Sequence, residues 1–311
     1  MTSATPIQKI EPSHFRWDAE SGVAEGIRTV TAEASAADGR SPLNEAALLS
    51  LRHEGLTASS LWVAGLPGEE ISGFALADAA LEVNLVVTPS ARGERIGHDL
   101  ATEVLDAFPD ADISAWSHGN HPAAAALAKS LGFDRVRDLW VMRRSLVEPL
   151  PDVVAPAASV VRTFEPGRDE EAFLTVNAAA FAHHPEQGSM TRADLEQRMA
   201  EDWFDASGFF VAVAADDEQR MLGFHWTKVH AGDPSYGEVY VVGVSPDAQG
   251  MGLGKVLTLT GLHHLRSLGL GEVILYVESD NAAAVAVYEG LGFTHADADT
   301  DVMYRRATPR P

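Results

Sequence analysis

The sequence predicts an α/β fold (α+β in detail, with a mixed sheet) built twice in tandem. Three observations predict it. Strand-like and helix-like segments follow one order on either side of a proline-rich stretch, Leu146 to Ala158. Landmarks keep nearly one offset: Pro246 follows Pro89 by 157 positions, Gly254 follows Gly97 by 157, Gly292 follows Gly132 by 160, and Met303 follows Met142 by 161. In the second half an apolar, β-branched run, Val239 to Val244, leads through Ser245-Pro246 into Gln249-Gly250-Met251-Gly252-Leu253-Gly254, and an apolar-periodic segment follows. That is a strand, a glycine-rich turn and the start of a helix.

Residues 1–16 read as a strand or tail. Asp18 to Ala36, rich in Ala and Glu, reads as a helix ending near Asp38-Gly39. Pro42 to Arg52 reads as a second, with Ser41 as its N-cap and Pro42 at the first helical position. Ser60–Leu66, Ile71–Ala77 and Leu81–Val87 read as strands, separated by Pro67-Gly68 and Asp78-Ala79. Ile96–Phe108 is an expected helix, Asp112–Trp116 a strand, Pro122–Leu131 a helix and Phe133–Ser145 a strand. Residues 146–158 hold three prolines and no amphipathic period, so they read as a linker. The order then repeats. Val160–Phe164 reads as a strand, Asp169–Phe181 as a helix, His183–Gly188 as a loop and Arg192–Glu201 as a helix. Phe209–Ala215, Leu222–His230 and Glu238–Val244 are strands, Glu272–Val277 another, Ala282–Leu291 a helix, and Phe293–Arg305 closes the sheet. The expected domains are 1–145 and 159–311.

The totals bound the function. A chain of 311 residues is long for one core. Hydrophobic content of 46% and charged content of 22% are those of a soluble globular protein. No apolar run approaches the ~20 residues that span a bilayer, and the start lacks a basic segment followed by an apolar core, so no membrane association is expected. Zero cysteines exclude disulfides, thiolate metal sites and a cysteine nucleophile, in keeping with a cytoplasmic protein. The formal net charge of −22 argues against nucleic acid as a partner. An anionic cofactor would then be held by local backbone donors.

A strand–glycine turn–helix junction offers such donors, since unpaired N–H groups and the positive end of the helix dipole face outward together. A Walker loop does not fit: Gly250 stands only three residues before Gly254-Lys255, and Val256 replaces the hydroxyl needed for magnesium. A dinucleotide G-x-G-x-x-G starting at Gly252 fails at Leu257. A turn with no ligand remains an alternative. The pattern that fits is Q-x-x-G-x-G after a strand, which resembles the pyrophosphate loop of the GNAT acyltransferase superfamily. The strand–helix–helix–three strands–helix–strand–helix–strand order of each half resembles a GNAT domain, so the resemblance covers nearly the whole chain. It implies two tandem GNAT-like domains with acetyl-coenzyme A as cosubstrate.

The halves differ where that chemistry would occur. The first half reads Arg92-Gly93-Glu94-Arg95-Ile96-Gly97, with Arg95 in the place of Gly252. A side chain there crowds the room a pyrophosphate needs, although Arg can also contact phosphate. Counting back from the shared Leu-Gly-Phe, Ala128 lies opposite Tyr288. The resemblance implies that a tyrosine here lies near the thioester sulfur and protonates the departing thiolate, which alanine cannot do. The second half is therefore expected to catalyse and the first to be a degenerate partner.

Acetyl transfer needs the thioester held beside the amine, a deprotonated amine, a donor for the oxyanion and an acid for the thiolate. Glu238, at the start of its strand, is the candidate base, directly or through a water. An exposed strand-end carboxylate is the bland alternative. Glu82 lies near the matching place, but Glu238 is eight residues before its proline and Glu82 only seven. A one-residue slip turns a side chain to the other face, so Glu82 is not expected to substitute for it.

Further segments narrow the resemblance. His183-His184-Pro185-Glu186-Gln187-Gly188, His225-Trp226-Thr227-Lys228, Gly237-Glu238-Val239-Tyr240-Val241-Val242-Gly243-Val244, Gly261-Leu262-His263-His264-Leu265 and Leu275-Tyr276-Val277-Glu278-Ser279-Asp280-Asn281 together resemble the mycothiol synthase family. That resemblance implies acetylation of the cysteinyl amine of a cysteinyl-glucosaminyl-inositol, the last step of mycothiol biosynthesis. It implies Glu238 and Tyr288 as catalytic, and Glu186, Lys228, Glu238 and Tyr276 facing the substrate, with Glu33 a weaker local match from the first half. It implies Val242, Gly243, Val244, Gln249, Gly250, Met251, Gly252, Leu253, Gly254, Lys255, Asn281, Ala282, Ala283, Ala284, Val285 and Ala286 around acetyl-coenzyme A. Leu85, Val86 and Val87 would hold a second coenzyme A without turnover. No metal is expected: His183-His184 and His263-His264 are adjacent pairs, and helix neighbours diverge by ~100°. A monomer acting on a small-molecule substrate is the expectation. The competing readings are a tandem GNAT enzyme for another amine, such as a peptide N-terminus or an aminoglycoside, and a non-catalytic acetyl-coenzyme A-binding regulator.

Overall fold

A computed structural model describes residues 5–65, 70–183, 185–232 and 235–308, and all but the side chains of Pro185 and Glu186 within them. The chain forms two compact units. One comprises Met1–Trp140, Glu278–Asp280 and Ala296–Pro311, the other Val141–Val277 and Asn281–His295. The contiguous division expected at the proline-rich stretch is thus not the division by compactness. The closing stretch of the chain belongs to the first unit.

In chain order the elements are β1 (Ile7–Ile10), α1 (Val23–Asp38), α2 (Glu45–His53), β2 (Ser60–Ala64), β3 (Gly73–Ala77), β4 (Glu82–Val87), α3 (Ile96–Ala107), β5 (Ile113–Ser117), α4 (Pro122–Ser130) and β6 (Asp134–Ser145). There follow β7 (Ser159–Thr163), α5 (Glu170–Ala180), the one-turn α6 (Pro185–Gly188), α7 (Arg192–Met199), β8 (Phe209–Ala214), β9 (Asp217–His230) and β10 (Tyr236–Val244). The chain ends with α8 (Leu253–Ser267), β11 (Glu272–Glu278), α9 (Ala282–Glu289) and β12 (Thr294–Arg306).

In the first unit the strand order is β1-β2-β3-β4-β5-β12. Only β4 and β5 run parallel, and β12 lies antiparallel to β5 with Val302 opposite Ser117. On one face Phe74, Leu76 and Val86 pack with Ile27 and Val30 of α1 and Leu51 of α2. On the other Ala75, Ala77 and Val83 pack with Ile96 and Leu100 of α3. This alternation along β3 and β4 is what a sheet covered on both faces requires. In the second unit the order is β7-β8-β9-β10-β11-β6, with β10 and β11 parallel. Phe209, Phe224 and Trp226 pack with Phe173 of α5 and Leu195 of α7, and Phe210 and Ala212 pack with Leu253 and Leu257 of α8.

Two local expectations change. Helix α2 starts at Glu45 because Asn44, not Ser41, accepts from a backbone amide, that of Ala47 at 2.8 Å. Ser41 instead takes the amide of Leu43 at 3.2 Å. The stretch His183–Gly188, read as a loop, contains the short α6, whose Gln187 Nε2 donates to Asn177 Oδ1 of α5 at 2.8 Å.

Candidate active site

The site is organised by the way β10 leaves its neighbours. β11 pairs with β10 only along Gly237–Val239, opposite Val273–Leu275. On the other side, β9 sets Thr227 opposite Val239 and Trp226 opposite Val241, so Tyr240 is the extra residue of a bulge. A bulge bends its strand and sharpens the local twist. From Tyr240 to Val244 the edge of β10 facing away from β9 has no strand partner among the described residues. Its backbone groups are available to an extended ligand, as at any open sheet edge.

The far end of β10 runs through a 3-10 turn, Pro246–Ala248, into the glycine loop. Gly250 and Gly252 are left-handed, with φ of 82° and 77°, and a Cβ at either would meet nothing within 4 Å. Glycine is there for its backbone conformation and for outward clearance, not to avoid a protein neighbour. Gly252 is the N-cap of α8 and offers no side-chain cap, and no acidic residue occupies the first turn. The first amides of α8, beside the exposed Lys255, therefore face open space with a positive field. Leu253 and Ala248, both buried, pack with Val242, Val244 and Met251 and hold the loop down. These features fit a pyrophosphate.

The opposite end of β10 carries the titratable groups. Residues opposite each other in register share a face, so Glu238 and Lys228 lie together, and Tyr276 joins them two residues beyond Ile274, the partner of Glu238. Glu238 is buried, 6% exposed, and its Oε2 lies 2.5 Å from His230 Nε2. The His230 ring stacks on Tyr236 at 4.5 Å. Lys228 Nζ sits 4.3 Å from the Trp203 ring and 5.2 Å from the Tyr240 ring, a cation–π arrangement. Arg198 Nε donates to the Tyr240 hydroxyl at 3.0 Å. Tyr276 is 45% exposed.

Tyr288 lies near the end of α9, where the amides of Leu291 and Phe293 close the helix on its carbonyl at 3.0 Å each. Its ring meets Phe293 edge-on at 6.0 Å. Burial pushes its phenol up to about 12, and no side-chain hydrogen bond engages the hydroxyl among the described residues. Asn281 caps α9, its Oδ1 accepting from the Ala284 amide at 3.2 Å. Ala282, Ala283 and Ala286 are exposed, and Ala284 and Val285 half-buried. The side chain of Glu186 lies outside the described residues, as does His184. Glu33 belongs to the first unit, where its carboxylate accepts from the Thr88 hydroxyl.

The first unit repeats the scaffold with altered parts. Arg95 is the N-cap of α3 and keeps the left-handed conformation of its glycine counterpart, with φ of 68°. A cavity of about 550 Å³ is lined by Leu85, Val86, Val87, Arg95, Ala128 and Tyr304, among others. Tyr304, from β12, packs on Ala128. The proposed slip of Glu82 does not reverse its face. β4 sets Glu82 opposite Ser114, and β10 sets Glu238 opposite Ile274, 160 positions on, the offset that also separates Gly132 from Gly292. β4 pairs with β3 without a bulge; the extra residue of the second half is Tyr240. Glu82 thus holds the register place of Glu238, with Asn44 Nδ2 donating to it at 3.3 Å.

His225, His263 and His264 have partners within the fold. His225 is fully buried, donates from Nδ1 to the Leu257 carbonyl at 2.8 Å, and is pushed down to about 4 by that burial. His263 Nε2 lies 2.9 Å from the Pro151 carbonyl, and His264 packs edge-on to Phe210. Among the described residues no group of three or more His, Asp or Glu is placed for a metal, and no helix is long and apolar enough to cross a membrane. Sequence reasoning missed His230, Tyr236, Trp203 and Arg198. The signal for His230 was its strand parity with Lys228.

Known proteins resemble the chain in sequence and in fold. The family model described as "Acetyltransferase (GNAT) family" matches residues 177–293. The chain is 54% identical to a protein of Nocardioides sp. named mycothiol acetyltransferase, over 90% of this chain and 96% of that one. It is 49% identical to a protein of the same name from Thermobispora bispora, over 92% and 96%. Among solved structures, a GCN5-related N-acetyltransferase from Sphaerobacter thermophilus matches with TM-score 0.65 and 25% identity, covering 92% of each chain. A tandem GNAT protein from the clavulanic acid biosynthesis pathway matches with TM-score 0.63 and 20% identity, over 82% of this chain and 84% of that one.

Proposed function

We propose a reaction for a chain that belongs to the mycothiol acetyltransferase family of GNAT enzymes: transfer of acetyl from acetyl-coenzyme A to the cysteinyl amine of cysteinyl-glucosaminyl-inositol. The 159–311 half catalyses, as a monomer and without a metal, and the 1–145 half is its degenerate partner. The observation that carries this reading is the course of β10, with a buried carboxylate at its paired end and an unpaired edge leading to an open glycine loop at the other.

Each part has a task. The amides of Leu253, Gly254 and Lys255, with the backbone of Gln249, Gly250, Met251 and Gly252, hold the pyrophosphate. The free edge at Val242, Gly243 and Val244 pairs with the pantetheine arm and supplies a donor for charge on the thioester oxygen. Asn281 to Ala286, the first turn of α9, flank the same arm. Acetyl-coenzyme A, when bound, supplies the activated acyl group. Glu238 accepts the proton of the cysteinyl ammonium, whose pKa of ~8 leaves most of it protonated at neutral pH. Lys228 and Tyr276, on the same face, and Glu186 position the hydroxyl-rich sugar–inositol, for which carboxylate, ammonium and phenol are suitable partners.

The raised pKa of Tyr288 refines its role. At about 12 the phenol stays protonated throughout the working range, so the donor is always loaded. A thiol of pKa ~8.5 lies roughly 3.5 pKa units below it, so complete proton transfer is uphill by about 5 kcal/mol. Tyr288 therefore acts chiefly by hydrogen-bonding the sulfur as charge develops.

Incubation with acetyl-coenzyme A and cysteinyl-glucosaminyl-inositol, beside a panel of simple amines, tests the reading through thiol release and product mass. Selective acetylation of the cysteinyl amine is expected. No turnover of that substrate, with coenzyme A still bound, would refute the assignment.

A further inference from the structure

We infer that His230 is a positioning residue for Glu238 and sets how the base is presented to the amine. The inference rests on reading Glu238 as that base. Glu238 and His230 come from adjacent antiparallel strands and are diagonal neighbours on one face. Their side chains are 8% and 27% exposed, so the carboxylate is enclosed and the imidazole is its more accessible partner.

The 2.5 Å contact between Nε2 and Oε2 fixes the chemistry of the pair. A neutral imidazole facing a carboxylate must carry its proton on the facing nitrogen, since two lone pairs would repel. His230 Nε2–H therefore donates to Oε2. That bond occupies one carboxylate oxygen and leaves Oε1 for the substrate amine or an intervening water. The imidazole is itself held. Tyr236, directly opposite in the strand register, stacks on it with ring planes 14° apart. A mis-set rotamer of either ring would swing the carboxylate away, and a small misplacement costs heavily in rate.

Other groups on this face leave that task to His230. Lys228 on β9 directs its ammonium over Trp203 and Tyr240. Arg198 on α7 donates to the Tyr240 hydroxyl. Tyr276 on β11 is substantially exposed.

The test uses the full chain and three variants. His230→Phe keeps an aromatic ring for Tyr236 and removes the donor. His230→Gln keeps a donor and loses the stack. Glu238→Gln removes the base. For His230→Phe we expect kcat to fall by roughly 10- to 100-fold, the size of effect seen when an orienting partner is lost. The KM for acetyl-coenzyme A should stay unchanged. His230→Gln should recover most of kcat. Rates are compared at a temperature where circular dichroism shows each variant folded. A kcat for His230→Phe within twofold of the parent, a changed KM for acetyl-coenzyme A that accounts for the loss, or His230→Gln as impaired as His230→Phe would each overturn the inference. An inactive Glu238→Gln beside an active His230→Phe would leave the base reading standing and remove this one. A fully active Glu238→Gln would remove both.

Discussion

Tyr288→Phe separates stability from function in one substitution. Tyr288 is buried, 9% exposed as a residue, and no side-chain hydrogen bond engages its hydroxyl among the described residues. The hydroxyl oxygen is not among the fully enclosed atoms that lack a partner, so its removal relieves no large desolvation cost. Phenylalanine keeps the ring against Phe293. Melting temperature should therefore hold within about 3 °C, since about 1 kcal/mol moves it by roughly 2–4 °C in a unit of this size. Activity should fall. A hydrogen bond to a charged group contributes about 1.5–3 kcal/mol, and at about 1.4 kcal/mol per tenfold its loss from a departing thiolate lowers kcat by roughly 10- to 150-fold. The pH limbs should stay in place, because a phenol near 12 does not titrate between pH 6 and 10. The assay is differential scanning calorimetry alongside thiol release with saturating acetyl-coenzyme A. A drop in melting temperature beyond 3 °C would mean that the hydroxyl is anchored, and a kcat within twofold of the parent would mean that the thiolate leaves unaided.

Other expectations concern the loop, the core and acid stability. Gly252→Ala meets no neighbour within 4 Å, so its stability cost is the left-handed backbone penalty of about 1–2 kcal/mol, read as a fall in melting temperature of a few degrees. The KM for acetyl-coenzyme A should rise severalfold as the methyl group enters the space above the loop, and an unchanged KM would move the pyrophosphate elsewhere. Gly243→Ala places a Cβ 2.7 Å from the buried Phe224 ring and should cost on the order of 1–3 kcal/mol by overpacking, visible in urea melts. His225 titrates near 4 when folded and near 6.5 when unfolded. The unfolded chain then binds the extra proton between those values, so stability is full above about pH 6.5 and falls as pH drops towards 4. His225→Asn, which can still donate to the Leu257 carbonyl, should flatten urea-derived stability over that window, and an unaltered slope would assign the acid sensitivity to other groups.

Periodicity and punctuation made the elements legible. The strand–turn–helix at Gly250 and Gly252 followed from local chemistry, and the structure gives both glycines the left-handed backbone that such a turn demands. Element ends were less legible, because Asn44 and Ser41 are both credible caps until the backbone shows which oxygen an amide meets. The count that set Glu82 against Glu238 erred for a geometric reason. Counting assumes an even pleat, and the bulge at Tyr240 adds a residue without changing the face of what precedes it. His230 was hidden similarly. Its meeting with Glu238 depends on strand register, which no run of residues within β9 reveals.

The placement of β12 has a consequence for how the protein is made. Ser117 of β5 pairs with Val302, so β5 waits for a partner synthesised 185 positions later (302 − 117). At ~5–20 residues per second that wait is roughly 10–40 s. During it, one edge of β5 lacks its antiparallel neighbour, and unpaired edges invite pairing with other chains. Such long-range closure also slows folding, since the entropy of a large loop must be lost before the pairing is gained. A nascent chain halted before Thr294 would lack that neighbour altogether, which makes β12 a checkpoint on synthesis of everything before it.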